Sequence, residues 1–186
     1  MTLRTFIAVL IPPPPRLANV RRSLTEMNKP VAVVGLEKLH ITLKFLGDTP
    51  ADQLDTIRNA IATAIVGQSP FTIELRSLGA FPRPDRPSVV WVGLQSAEPL
   101  ISLARRLESL LEPLSFAPET RPFSPHLTLA RIKGRPPQSL FDLLRRHAAT
   151  SFGTIDVRQI EFIHSQLHPD GSRYSTLSSH TLSALR

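Results

Sequence analysis

The chain has 186 residues and is 41% hydrophobic, enough for one domain with a sizeable core or for two small lobes. It contains no cysteine, which excludes disulfides, thiolate nucleophiles and cysteine-ligated zinc or iron–sulfur sites. Its net charge of +7 comes from 22 basic residues against 15 acidic ones, and 18 of the basic residues are arginine, whose planar fork suits phosphate oxygens as well as a solvated surface.

From the N-terminus, "RTFIAVL" (4–10) reads as a β-branched and aromatic strand, and Leu17, Val20, Leu24 and Met27 recur at helical spacing over 16–27. The apolar run "FIAVLI" (6–11) is too short to span a bilayer and runs into four prolines, so no membrane segment and a cytoplasmic location are expected. Prolines 12–15 suit the strand-to-helix junction, where a missing amide costs little. The strand "LHITLKFLGD" (39–48) follows, then a helix with Leu54, Ile57, Ile61 and Ile65 on one face and Asp52 in its first turn, then the strand "FTIELRSLGAF" (71–81).

The second half repeats this order. "SVVWVGL" (88–94) is a strand, 100–111 a helix, "PHLTLARIKG" (125–134) a strand and 139–148 a helix, after which "TIDVRQI" (154–160) matches "TIELRSL" (72–78). We read an internal duplication over about 1–81 and 88–165, with "PRPDRP" (82–87) as its seam and a closing hairpin over 160–182 that turns at Pro169-Asp170-Gly171. The expected fold is α+β: one bilobal domain spanning 1–186, with two pseudo-twofold-related antiparallel-rich β-sheets facing a central cleft and helices on their outer faces.

His-x-Thr-Leu occurs twice, at His40 and His126, where a shuffled chain of this composition would hold about 0.45 His-x-Thr occurrences. Strand alternation puts His40, Thr42 and Lys44 on one face and Ile41, Leu43 and Phe45 on the other. The second copy divides likewise, His126 and Thr128 against Leu127 and Leu129. With the apolar faces under the helices, the two histidines and two threonines meet across the cleft. Two imidazoles titrating near neutrality can divide acid–base work, and threonine hydroxyls can donate to the non-bridging oxygens of a phosphoryl group. Two histidines without carboxylate partners leave a zinc sphere incomplete, so neither metal nor cofactor is expected.

On these residues the chain resembles the two-histidine phosphoesterase superfamily. "RTFIAVLIP", "LHITLKFLGD", "LGAFPRPDRPSVVWVGL" and "FSPHLTLAR" are similar, more narrowly, to its RNA 2′,3′-cyclic phosphodiesterase branch, historically called 2′-5′ RNA ligases. The resemblance implies metal-independent hydrolysis of an RNA 2′,3′-cyclic phosphate end, or of a cyclic nucleotide, to a 2′-phosphate. It implies His40 as proton donor, His126 as proton acceptor, phosphate binding by Thr42 and Thr128, and, by microscopic reversibility, reverse 2′-5′ ligation.

Arg131 resembles a phosphate-binding position, yet strict alternation places it with Leu127 and Leu129, so it needs a bulge or a strand end to turn inward. Phe6, Lys44 and Tyr174 are further cleft candidates, while Phe45 has the parity of a core aromatic. "VAVVGLEKLH" lacks the tryptophan of the family pattern, a departure that bears on the cleft wall. Other classes weighed are a phosphodiesterase on another cyclic or 2′,5′-linked nucleotide, and a non-catalytic RNA-binding module, which would leave the duplicated histidines unexplained. A monomer is expected, with no coiled-coil pattern in evidence.

Overall fold

The computed structural model describes residues 1–169 and 171–184. Among these residues lie nine strands and four α-helices, which follow the expected order except for the short β2, a strand that the sequence reading lacked: β1 (Thr2–Leu10), α1 (Ala18–Glu26), β2 (Val31–Val33), β3 (His40–Pro50), α2 (Leu54–Ala64), β4 (Phe71–Arg83), β5 (Arg86–Gln95), α3 (Glu98–Leu111), β6 (His126–Ile132), α4 (Gln138–Arg146), β7 (Ser151–Val157), β8 (Gln159–His168) and β9 (Gly171–Thr181). They form two antiparallel sheets, in the orders β3-β1-β8-β9 and β2-β6-β5-β4-β7.

The helical stripes read from the sequence are the faces that pack. Leu17, Val20 and Leu24 of the first helical segment, Ile57 and Ile61 of α2, and Leu140, Leu143 and Leu144 of α4 are buried in one core with the apolar faces of both sheets. Arg16 and Arg22, on the opposite side of the first stripe, stay exposed or half-exposed. Among the described residues no helix is long and apolar enough to cross a membrane.

The sheets do not coincide with the sequence units. The segment expected to seam two lobes is a tight hairpin, with Arg83 paired to Arg86, and it keeps β4 in the second sheet beside β5 and β7. The matched segments "TIELRSL" and "TIDVRQI" pair with each other there, Thr72 opposite Asp156 and Ile73 opposite Ile155. Beyond Arg158 the chain crosses back, and β8 pairs with β1 in the first sheet. Each unit therefore gives strand pairing to the sheet begun by the other. β8 and β9 form the closing hairpin from His168 opposite Gly171; Asp170 of the expected turn lies outside the described residues.

Strand alternation breaks at an equivalent place in each histidine strand, and in β3 it breaks again at Leu46, between the Thr5–Gly47 and Phe6–Phe45 pairs. In β3, Ile7 pairs with Lys44 but Ala8 with Thr42, which leaves Leu43 as an extra residue. In β6, Val90 pairs with Ala130 but Trp91 with Thr128, which leaves Leu129 extra at the equivalent position. A bulge of this kind inverts the face of the side chains that follow it, in β3 as far as the second bulge at Leu46. Lys44 is corrected accordingly: it points away from the cleft, its side chain 1% exposed, with Nζ 2.9 Å from Glu108 Oε2 and 2.6 Å from the Ala117 carbonyl oxygen. Phe45 is corrected in the opposite sense, and is 57% exposed instead of lying in the core.

The Lys44 contact ties β3 to α3 and to the loop that leads into β6, because a buried ammonium requires a counter-charge and acceptors. Lys44→Ala is expected to lower stability by about 3 kcal/mol in urea unfolding, since it strands Glu108 and a carbonyl. A loss under about 1 kcal/mol would place the pair among the weak surface bridges.

Candidate active site

His40, Thr42, His126 and Thr128 line a single cleft of about 270 Å³ between the sheets. β3 and β6 approach each other there, and each histidine opens its strand just after a loop. His40 Nδ1 lies 2.7 Å from the carbonyl oxygen of Lys38, and His126 Nδ1 lies 2.8 Å from that of Ser124. A carbonyl can only accept, so in both rings Nδ1 carries the hydrogen and Nε2 is left for the cleft. The same two-residue offset recurs in both copies. A neutral ring of this tautomer accepts a proton at Nε2, and the cation donates one from it.

The bulge at Leu129 gives Arg131 the inward direction it needed. It lines the cleft together with Arg4 and Lys38, and no carboxylate is among the described residues of the lining. A cleft with three cations and no acid among its described lining residues attracts an anion. Ala130 takes the buried position equivalent to Lys44, so Phe45 and Arg131 are the equivalent pair that reaches the cleft. The threonine hydroxyls are not engaged by any other described residue and stand free to donate.

Phe6 and Tyr174 are both brought to the site. Phe6, only 2% exposed, lies 5.1 Å from the His40 ring and 5.8 Å from Phe45, and the Tyr174 ring meets His40 edge-on at 5.5 Å. His164, two positions after Phe162 on β8, is not part of this lining. On the other side, Phe81 meets His126 edge-on at 5.0 Å and lies 5.2 Å from Trp91. Phe45 was read from its parity as a core aromatic, and Phe81, Trp91, Arg4 and Lys38 escaped the reading from sequence. The signal available was the glycine two residues from each of Phe81 and Trp91, since alternating glycine and aromatic residues mark a ring lying flat on a strand.

Val34 and Lys38 occupy the cleft wall contributed by the segment that lacks tryptophan. Among the described residues no group of three or more His, Cys, Asp or Glu side chains is placed to hold a metal ion.

Electrostatics separates His40 from an ordinary imidazole. Burial pushes its pKa below 6.5; the hydrogen bond to the Lys38 carbonyl opposes this, and the charges of His126 and Arg131 add to the lowering. Burial raises the Tyr174 hydroxyl, while Arg131 and Arg4 pull it down, so the phenol stays a neutral donor at neutral pH.

A profile of the 2′-5′ RNA ligase superfamily matches residues 13–168. The chain is 41% identical over 164 residues to an RNA 2′,3′-cyclic phosphodiesterase of Aeropyrum pernix, covering 87% of this chain and 92% of that one. It is 33% identical over 180 residues to an RNA 2′,3′-cyclic phosphodiesterase of Methanothermobacter thermautotrophicus, covering 95% and 97%. The crystal structure of a Thermus thermophilus protein superimposes with a TM-score of 0.80 at 27% identity, covering 99% of this chain and all of that one.

Because the Tyr174 ring helps exclude water from His40, Tyr174→Ala is expected to move the His40 pKa upward toward 6.5 in a proton NMR titration of the imidazole. A His40 titration unchanged by that substitution would mean that burial by the ring is not the cause.

Proposed function

The chain belongs to the 2′-5′ RNA ligase superfamily, and on that premise we propose that it is an RNA 2′,3′-cyclic phosphodiesterase whose two histidines share the proton work. One observation carries this reading: both imidazoles, fixed as the same tautomer by carbonyls two residues back, line one cation-rich cleft with no carboxylate among its described lining residues. Such a cleft favours a phosphodiester anion over a cationic or neutral ligand. Two equivalent Nε2 atoms favour a reaction that needs one proton taken and one given.

In the proposed reaction a water attacks the phosphorus of the cyclic phosphate and its proton passes to His126 Nε2. The bond from phosphorus to the 3′ oxygen breaks, and that oxygen takes the proton of His40 Nε2–H. The product is a terminal 2′-phosphate. Burial makes His40 an unusually acidic imidazolium, which suits protonation of an alkoxide leaving group, while the bound anion favours the charged ring. Thr42 and Thr128 donate to the non-bridging oxygens, and Arg131 offsets the charge that builds on them. The edge-on Tyr174 and the buried Phe6 hold the His40 ring in its plane.

The test is incubation with an oligonucleotide ending in a 2′,3′-cyclic phosphate, in EDTA, followed by product analysis. A 2′-phosphate is expected, and His40→Ala or His126→Ala should each lower turnover by about 10²–10⁴ while leaving folding intact. A 3′-phosphate would contradict the leaving-group assignment, and loss of activity in EDTA with recovery on adding a divalent metal would contradict the metal-free mechanism.

A further inference from the structure

We propose that a pocket beyond Phe45 seats the base of the penultimate nucleotide of the RNA, the one that precedes the cyclic-phosphate end, and selects guanine there. The inference rests on the reaction proposed above.

This pocket, of about 410 Å³, lies between the far half of β3 and the turn that follows α3, with Phe45, Asp48, Gln53, Leu114 and Phe116 in its wall. Phe45 lines the phosphate cleft as well, so the two cavities meet at its ring, which is 57% exposed. The same strand carries His40, the proposed donor to the leaving 3′ oxygen. The terminal ribose therefore belongs on the His40 side, and the RNA that precedes it leaves the cleft away from His126, past Phe45.

The wall suits a flat apolar ring. Phe116 and Leu46 are only 8% and 9% exposed, so packing holds them in place, and the far side is fixed to β3 through the Ala117 carbonyl oxygen, which accepts from the buried Lys44 Nζ at 2.6 Å. A bare phenyl ring where two cavities meet is a surface on which a base stacks.

The charges then divide the nucleotide between the two cavities. Arg4 stands opposite Asp48 in the β1–β3 ladder, Arg4 lining the phosphate cleft and Asp48 the pocket. No ion pair among the described residues neutralises either of them. A phosphate is drawn to Arg4 and repelled by Asp48. The phosphate that links the last two nucleotides thus belongs at Arg4, and what passes on to Asp48 is the base.

An ionised carboxylate only accepts hydrogen bonds, and it accepts two at once where two donors stand side by side. Guanine alone among the four bases puts two adjacent donors, N1–H and the 2-amino group, on its Watson–Crick edge. The side-chain amide of Gln53, which no other described residue engages, offers a donor for the O6 acceptor beside them. Adenine and cytosine place a ring acceptor next to their amino group, and uracil flanks its one N–H with two acceptors, so each sets a lone pair against Asp48.

The measurement is kcat/KM of the full-length protein for dinucleotides XpA that end in a 2′,3′-cyclic phosphate, divided by kcat/KM for adenosine 2′,3′-cyclic phosphate in the same preparation. Such a ratio does not depend on the fraction of a variant that folds. With guanine at X it is expected to reach about tenfold or more, the effect of gaining one base stack, and to exceed the uracil ratio by about tenfold, the effect of hydrogen bonds to a charged group. Asp48→Asn, on an exposed side chain, should bring the guanine and uracil ratios together, because the amide turns a donor toward a donor. Dinucleotides no better than the mononucleotide, guanine no better than uracil, or a guanine preference that survives in Asp48→Asn would each overturn the inference while hydrolysis itself stands. Wild-type protein that hydrolyses none of these substrates overturns the proposed function as well.

Discussion

Each catalytic candidate holds its Nδ1–H on the carbonyl oxygen of the residue two before it, Lys38 at 2.7 Å and Ser124 at 2.8 Å. The rest of the site depends on that bond. A histidine with both nitrogens free can exchange tautomers and rotate, and its basic nitrogen then has no fixed address. Here the backbone fixes it twice, in the same way, by entering each strand from a loop whose last carbonyls turn toward the ring. The acid and the base therefore need no carboxylate to orient them, and the cleft can stay free of negative charge. Arg4, Lys38 and Arg131 line the cleft with no carboxylate among its described lining residues, and Lys38 pairs with Glu37 outside that lining. The surroundings then divide two similar rings: His40 lies between Phe6 and Tyr174 with its pKa lowered by burial, and His126 lies against Phe81.

Holding the two strands in register is a separate problem, and the buried Lys44 answers part of it. Its ammonium reaches Glu108 on α3 and the carbonyl of Ala117, so the strand of the first histidine grips the segment that leads to the second. A hydrophobic side chain at 44 would pack there without that directional constraint. The equivalent residue, Ala130, is too small to make such a contact, and the pseudosymmetry of the site stops at this pair of positions.

Most elements were legible in the sequence because their periodicities are strong: 3.6 for the stripes of α1 to α4, and 2 for the first residues of β3 and β6. The repeated His-x-Thr also located the cleft, since a duplicated polar pair on apolar strands has few other destinations. What alternation could not reveal was the extra residue at Leu43 and Leu129. Neither position carries a glycine or another residue type that announces a bulge, so parity sent Lys44 to the cleft and Phe45 to the core when each does the reverse. The exchange of strands between sheets was hidden for a related reason. A sequence repeat records that two units are alike, but "TIELRSL" and "TIDVRQI" look the same whether they sit in separate sheets or, as here, pair with each other. Trp91 and Phe81 were missed because the indole lies over the bare backbone of Gly79 and Gly93 with Phe81 beside it, an arrangement visible only once the strands are paired.

The division of labour between the two imidazoles is the central claim, and the pH dependence of kcat/KM in wild type and in each histidine variant tests it most directly. A base must be neutral and an acid protonated, so wild type should give a bell. The residual activity of His126→Ala should lose the acid limb alone, and that of His40→Ala the alkaline limb alone. Bell-shaped profiles that persist in both variants, or the loss of the opposite limb in each, would contradict the assignment.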